Sequence, residues 1–253
     1  MKKKKVLNKI VLTAVLAVLL FTAFTAVASA TDIYVGPGET YTTIQAAVTA
    51  ATAGDTIIVR NGTYHENVDV DKRLTIRSEN GSTNCIVNAS DSNNHVFDVQ
   101  SDYVNISGFT INGATDVTMA GICLYNAEHC NISDNNVTNN NHGIYLKSSS
   151  NNNLTGNNAS NNKYGFYSDE DSHNNTVEDL TISSYPTTVS FTYDNGIKIK
   201  GVTTPESDPA GMKNISKYVN ATNVSVDSWL FLNVSYSDMD ISSIVEDSSV
   251  LYR

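Results

Sequence analysis

Basic side chains are what this 253-residue sequence has least of: sixteen Lys and Arg face 26 Asp and Glu. Five of the lysines (Lys2, Lys3, Lys4, Lys5 and Lys9) crowd the first nine residues, so the rest of the chain has eleven bases and a formal charge of −15. Beyond Arg77 the only arginine is Arg253. Binding nucleic acid by counterion release needs clustered Lys and Arg, so nucleic acid is excluded as a partner. Cysteine is scarce too. Cys85, Cys123 and Cys130 are odd in number and fall in no metal-ligand spacing, so one intrachain disulfide is the most they can form. Cys123 and Cys130, on either side of an expected turn, are the better pair, with free thiols the alternative. The five histidines form no His-x-His motif, and the four methionines form no Met-rich run.

Long apolar runs are absent after residue 30, and the one before it has a recognisable context. A lysine-rich start, the uncharged run Ile10–Val27 and the small-x-small site Ala28-Ser29-Ala30 match a secretory signal over residues 1–30, with the mature start near Thr31. The run is also just long enough to serve as an uncleaved anchor. Either way the remainder is expected outside the cell, secreted or at its surface.

Asparagine is abundant: 31 residues, thirteen of them between Asn131 and Asn162. Such bias is a signature of disorder unless a repeat organises it. Here Asn131-Ile132-Ser133-Asp134-Asn135-Asn136-Val137 aligns 22 residues on with Asn153-Leu154-Thr155-Gly156-Asn157-Asn158-Ala159. The same offset carries Gly143-Ile144-Tyr145 to Gly165-Phe166-Tyr167. One such unit cannot bury enough surface alone, so units must stack. The expected interior columns are Ile106, Ile132, Leu154 and Val177; Ile111, Val137, Ala159 and Ile182; and Ile122, Ile144, Phe166 and Val189. Asn and Gly suit the turns because they tolerate left-handed backbone angles. Asn135 over Asn157, and Asn140 over Asn162, should form amide ladders.

The fold expected is all-β: a parallel β-helix of about seven coils over residues 31–202. Ile44, Ala47, Val48 and Ala51 have helical spacing, and the helix they predict would cover the solenoid's open first coil. Residues 203–212 read as a linker, and residues 213–253 as the start of a truncated β-rich, sandwich-like module of a longer surface protein.

With those repeats in place, Tyr41-Thr42-Thr43-Ile44-Gln45-Ala46-Ala47-Val48, Gly54-Asp55-Thr56-Ile57-Ile58-Val59, Gly62-Thr63-Tyr64-His65-Glu66-Asn67-Val68 and Lys72-Arg73-Leu74-Thr75-Ile76 resemble the opening of NosD-like right-handed parallel β-helix proteins. The likeness covers about residues 33–200, and the sequon density resembles archaeal cell-surface proteins. It implies fold more than function, because this solenoid hosts both enzymes and non-enzymatic surface proteins. NosD-like proteins are associated with copper delivery, yet His65, His95, His129, His142, His173 and Met119 give no convergent set, so surface histidines on turns are expected and neither metal nor cofactor is assigned.

Thirteen N-x-S/T sequons stand at Asn61, Asn80, Asn88, Asn105, Asn131, Asn136, Asn153, Asn158, Asn174, Asn214, Asn220, Asn223 and Asn233. If Ile106, Ile132 and Leu154 point inward, Asn105, Asn131 and Asn153 point outward. The sequons are either glycosylation sites of a surface coat or polar residues that merely suit a solenoid's exterior. Tyr145 and Tyr167 follow inward residues by one place, so they share the outer face and, with Tyr164 and His142, form a candidate carbohydrate contact; lateral tyrosine packing is the competing reading. A catalytic carboxylate column is missing: Asp169, Glu170 and Asp171 share one turn. A divergent carbohydrate-active enzyme would have to use Arg60, His65, Arg73 and Arg77 in the first coils. The expected role is a secreted, glycosylated surface or envelope component. Its partners are polysaccharide or other envelope material, and a membrane enters only through the signal segment or an anchor beyond Arg253.

Overall fold

The computed structural model describes residues 29–182, 187–202 and 219–235. Residues 1–28 of the signal segment, the linker stretch, Asn214 and residues 236–253 lie outside them. The described residues from Thr31 onward form one compact unit, a parallel β-solenoid of about six turns.

Three sheets make its walls. The longest contains β1 (Asp32–Val35), β2 (Thr56–Val59), β5 (Thr75–Ser78), β8 (Asn105–Ser107), β11 (Asn131–Ser133), β14 (Asn153–Thr155), β16 (Thr176–Thr181), β17 (Thr188–Asp194) and β20 (Trp229–Ser235). The second runs β4 (Val68–Val70), β7 (Phe97–Val99), β10 (Ala120–Tyr125), β13 (His142–Lys147), β15 (Tyr164–Ser168), β18 (Ile197–Gly201) and β19 (Val219–Asn223). The third holds β3 (Gly62–His65), β6 (Cys85–Asn88), β9 (Thr110–Asn112) and β12 (Asn136–Val137).

Alternation within each short strand sends one residue in and the next out, and stacking aligns the inward ones. Ile57, Ile76, Ile106, Ile132, Leu154 and Val177 pair in succession. Val87, Ile111 and Val137 form the second column, continued by buried Ala159 and Ile182. Val68, Phe97, Ile122, Ile144 and Phe166 form the third. All are buried, and each aliphatic side chain removed from water contributes about 1.5–3 kcal/mol.

The third column ends differently from expectation. Phe166 pairs with Ile199 of β18, and Val189 pairs instead with Leu180 and Val234, because β17 and β18 run antiparallel to the coils before them. β20 and β19 then pair antiparallel with β17 and β18. This part of the stretch read as a separate β-rich module thus extends the solenoid's own sheets. Along β20, Leu230, Leu232 and Val234 pack on the core while Trp229 and Phe231 face solvent.

Asparagine does what the offset of 22 implies. Asn139 and Asn161, one coil apart, sit at φ 56° and 58°, in the left-handed region that Asn tolerates. Gly108, Asp134 and Gly156 make a similar left-handed stack, and a Cβ on Gly156 would lie 2.8 Å from the Asp134 carboxylate. Inside the turns, the Asn135 amide donates to Asn157 Oδ1 at 3.2 Å and that of Asn140 to Asn162 Oδ1 at 3.3 Å. A third ladder, Asn152 onto Asn175 at 3.0 Å, was not anticipated.

The helix α1 (Ile44–Ala50) buries Ile44, Ala47 and Val48 at the first coil. Its sequence carries no acid in the first turn and no base in the last, so the coil beneath supplies both. Glu66 accepts from the Ile44 and Gln45 amides at 2.9 Å each, while the Lys72 ammonium donates to the carbonyls of Val48, Thr49 and Ala51. Each charge complements the helix dipole at its own end.

The three cysteines are free. Cys130 lies in the core, whereas Cys123 is flanked on β10 by inward Ile122 and Leu124 and points out of the sheet, so the wall separates the two expected partners.

Candidate functional site

The outer face of the second sheet concentrates the chain's chemistry. In the third interior column, Val68, Phe97, Ile122, Ile144, Phe166 and Ile199 point in, so their neighbours form an outward column in register: Asp69, Asp98, Cys123, Tyr145, Tyr167 and Lys198. Its polarity runs from carboxylates at the early coils, through phenols, to an ammonium at the last.

Around the phenols the rings are closely set. Tyr145 and Tyr167 meet edge to face, centroids 5.0 Å apart at 86°. His142 stacks on Tyr164 at 5.3 Å and meets Tyr167 edge-on at 4.9 Å; His95 lies 6.4 Å from Tyr145. The expectation that His142 occupies a surface turn is corrected: it opens β13 and is 5% exposed, because the rings of Tyr145, Tyr164 and Tyr167 pack around it. Burial pushes its pKa down to about 4, helped by Lys163, His95 and Lys198 and opposed by the Met119 carbonyl. Burial also raises the Tyr145 and Tyr167 hydroxyls above the usual range, with Asp169 adding to it. All these groups are neutral near pH 7.

Lysines cover the ring faces. The Lys198 ammonium sits 5.0 Å from the Tyr167 centroid and 5.9 Å from that of Tyr164, Lys163 sits 5.5 Å from Tyr164, and Lys147 sits 4.8 Å from Tyr125. With one face of Tyr164 on His142 and Lys163 and Lys198 over its ring, the cluster offers hydroxyl edges and ammonium groups more than flat open faces. Asp169, first of the three acids that share one turn, accepts from the Ser148 amide and the Ser172 hydroxyl and so anchors that turn beside the patch.

Among the described residues one group has metal-ligand composition: His95, Asp98 and Cys123, with donor atoms within 4.8 Å of one another. Sequence spacing did not find it, because the three come from two coils and only the register unites them. His95 Nδ1 accepts from the Ala120 amide at 2.9 Å, so its ring proton resides on Nε2. Cys123 is held protonated by burial and by the Asp98 carboxylate. Gln100 donates to one Asp98 oxygen at 2.7 Å, and the other is buried without a hydrogen bond. Copper needs soft or imidazole lone pairs that are free. This set supplies one ring whose Nδ1 is committed to the Ala120 amide, one buried thiol and a hard carboxylate held by Gln100, short of the convergent soft or imidazole donors that copper needs, and it does not fit that ion.

The first-coil basic residues do not converge. Arg60 pairs with Glu39 and Glu79 and lies 4.4 Å over the Tyr34 ring. Arg77 is on an exposed position of β5 in the longest sheet and His65 on β3 in the third. Of the sequons, Asn131 and Asn153 are exposed and in register, with Asn105 stacked beneath them and accepting from the Asn131 amide at 2.9 Å. Asn61, Asn80, Asn174, Asn220, Asn223 and Asn233 are exposed as well; Asn88, Asn136 and Asn158 are half-buried.

Comparison with known proteins places the chain. Over 130 residues it is 33% identical to a cell surface glycoprotein of Methanothermus fervidus, covering 50% of this chain and 21% of that protein, so it spans about a fifth of that relative's length. Among solved structures, pectin methylesterase PemA from Erwinia chrysanthemi aligns at 13% identity and a TM-score of 0.46, covering 62% of this chain and 55% of the enzyme. Alginate lyase from a Paenibacillus species aligns at 21% identity and 0.46, covering 60% and 56%. Residues 48–226 match the family described as periplasmic copper-binding protein (NosD), and the chain therefore belongs to the NosD family.

Proposed function

We propose that this protein is a glycosylated cell-surface β-helix that contacts envelope carbohydrate through the outer face of its second sheet. The observation that carries the reading is the register pair Tyr145 and Tyr167, flanked by Tyr164, which gathers phenol hydroxyls and lysines on one wall of a rigid scaffold. Sugar recognition uses such convergent hydrogen-bonding groups beside apolar ring surface. The surface location is supported by the cell surface glycoprotein relative, by the signal-like first thirty residues, and by exposed sequons aligned along the longest sheet. No helix among the described residues is long and apolar enough to cross a membrane.

Binding to a glycan array by the intact protein, compared with a Tyr145→Ala/Tyr167→Ala variant, tests the proposal. Binding should be lost in the variant with the β-rich circular dichroism spectrum retained. Unchanged binding by the variant would remove the site, and an array on which the parent binds nothing would remove the function.

A further inference from the structure

The lysines on this face point to the class of carbohydrate. We infer that the site is selective for acidic glycans, whose carboxylate or sulfate groups are held by Lys163 and Lys198, with Lys147 at the opposite margin. The inference rests on the carbohydrate reading above and narrows it.

Charge distribution is the first ground. The described residues contain eight basic side chains, and three of them, Lys147, Lys163 and Lys198, lie on this one face of a strongly acidic protein. Of the other bases, Arg60 has two carboxylates and Lys72 has three helix carbonyls, Lys200 is a further exposed base two places beyond Lys198 on β18, and Arg73 and Arg77 stand in the early coils. Among the described residues no carboxylate lies within ion-pair distance of Lys147, Lys163 or Lys198. Each rests instead on a tyrosine ring, which attracts and orients an ammonium without neutralising it. Three oriented charges of one sign are thus left available to an anion.

The carboxylates on the same face sharpen the placement. Asp169 is engaged by Ser148 and Ser172, Asp98 by Gln100, and Asp69 continues the acid end of the outward column. An anionic chain is repelled from the Asp69–Asp98 end of the outward column and drawn to the lysines at its Lys198 end, where it must clear the Asp169 and Glu170 carboxylates that act on Tyr167, so the site has a direction. Burial holds both His95 and His142 toward their neutral forms, so the positive charge of this face comes from the lysines. Ring faces occupied by lysine disfavour flat stacking of neutral sugars, whereas phenol hydroxyls and ammonium groups suit ionic and hydroxyl recognition.

Titration calorimetry of the intact chain with three probes of equal length decides the matter: a uronate hexasaccharide, its carboxyl-reduced neutral counterpart, and a sulfated hexasaccharide. An anionic probe should bind at least about tenfold more tightly than the neutral one at low salt, and the advantage should shrink as added salt shortens the screening length. Lys163→Gln and Lys198→Gln should each weaken anion binding by about two- to fivefold, the range for exposed ion pairs, while Lys→Arg at the same positions should restore it. Which anion binds assigns carboxylate or sulfate. A neutral probe bound as tightly as the acidic ones, or Gln variants that bind acidic probes like the parent, would overturn the selectivity while leaving carbohydrate binding intact. Failure of all three probes would instead count against the carbohydrate reading itself.

Discussion

Replacing Asn157 isolates the energetic worth of an amide ladder. Its side chain is 1% exposed. Oδ1 accepts from the Asn135 backbone amide at 3.1 Å and from the Asn135 side chain at 3.2 Å, while Nδ2 donates to the Ile132 carbonyl at 2.7 Å. Asn157→Ala leaves the Asn135 amide and one bond to the Ile132 carbonyl without a partner in a dry turn, at roughly 1–3 kcal/mol for each buried group stranded. A loss of about 2–4 kcal/mol is expected, a large part of a typical domain's roughly 5–15 kcal/mol. The exposed Asn153→Ala should stay within about 0.5 kcal/mol. Asn157→Asp adds a sign. Protonated, the acid can still donate to Ile132; ionised, it faces that carbonyl. Its folded pKa therefore lies above the unfolded value of about 3.9, and its deficit relative to the parent should grow by up to about 1.4 kcal/mol per pH unit as pH rises between the two pKa values. Urea unfolding followed by circular dichroism from pH 4 to 7 reads all three variants. An Asn157→Ala midpoint matching that of Asn153→Ala, or an Asn157→Asp deficit that shrinks toward pH 7, would refute the ladder reasoning.

His142 is held neutral down to about pH 4 when folded but takes up a proton near 6.5 when unfolded, so the unfolded chain binds more protons in that window and stability should fall as pH drops through it. In His142→Phe, parallel urea titrations should lose about 2–3 kcal/mol of that decline, and an unaltered slope would contradict the assignment. Asn131 and Asn153 face outward in adjacent coils about 4.8 Å apart, too close for two bulky glycans, so glycopeptide mass spectrometry should find partial occupancy. Full modification of both on one molecule would disprove the packing estimate. Dialysis against copper followed by metal analysis should recover well below one ion per chain; stoichiometric copper that disappears in His95→Ala or Cys123→Ser would reverse the reading of that cluster.

The interior was legible from sequence because stacked coils repeat the same few inward positions, and Ile132 over Ile106 and under Leu154 needs only an offset to be found. Direction was not legible. Alternation reads the same forwards and backwards, so Val189 fitted the third column although β17 runs the other way. The ladder of Asn152 and Asn175 had a signal, an offset of 23 residues, but it lay at a turn outside the aligned unit. Asp98 over Cys123 had a signal too, the offset of 25 that sets Phe97 and Val99 under Ile122 and Leu124, but nothing in the spacing brings His95, which precedes the strand, to the same point. The tyrosine pair was found because it falls in the regular repeats; its lysine cover was not, because Lys198 arrives on an antiparallel strand.

That reversal also fixes where the solenoid can grow. A parallel coil needs a parallel edge to stack upon, and beyond β16 and β15 the sheets offer antiparallel strands instead, while α1 occupies the other end. Lengthening is left to the middle: duplication of a 22-residue unit such as 131–152 would insert one coil between ends that never notice it. Each insertion would add about 4.8 Å of height, another rung to the amide ladders and another outward sequon. The length of the solenoid can therefore change through the number of asparagine-marked units alone, with α1 at one end and the antiparallel strands at the other left as they are.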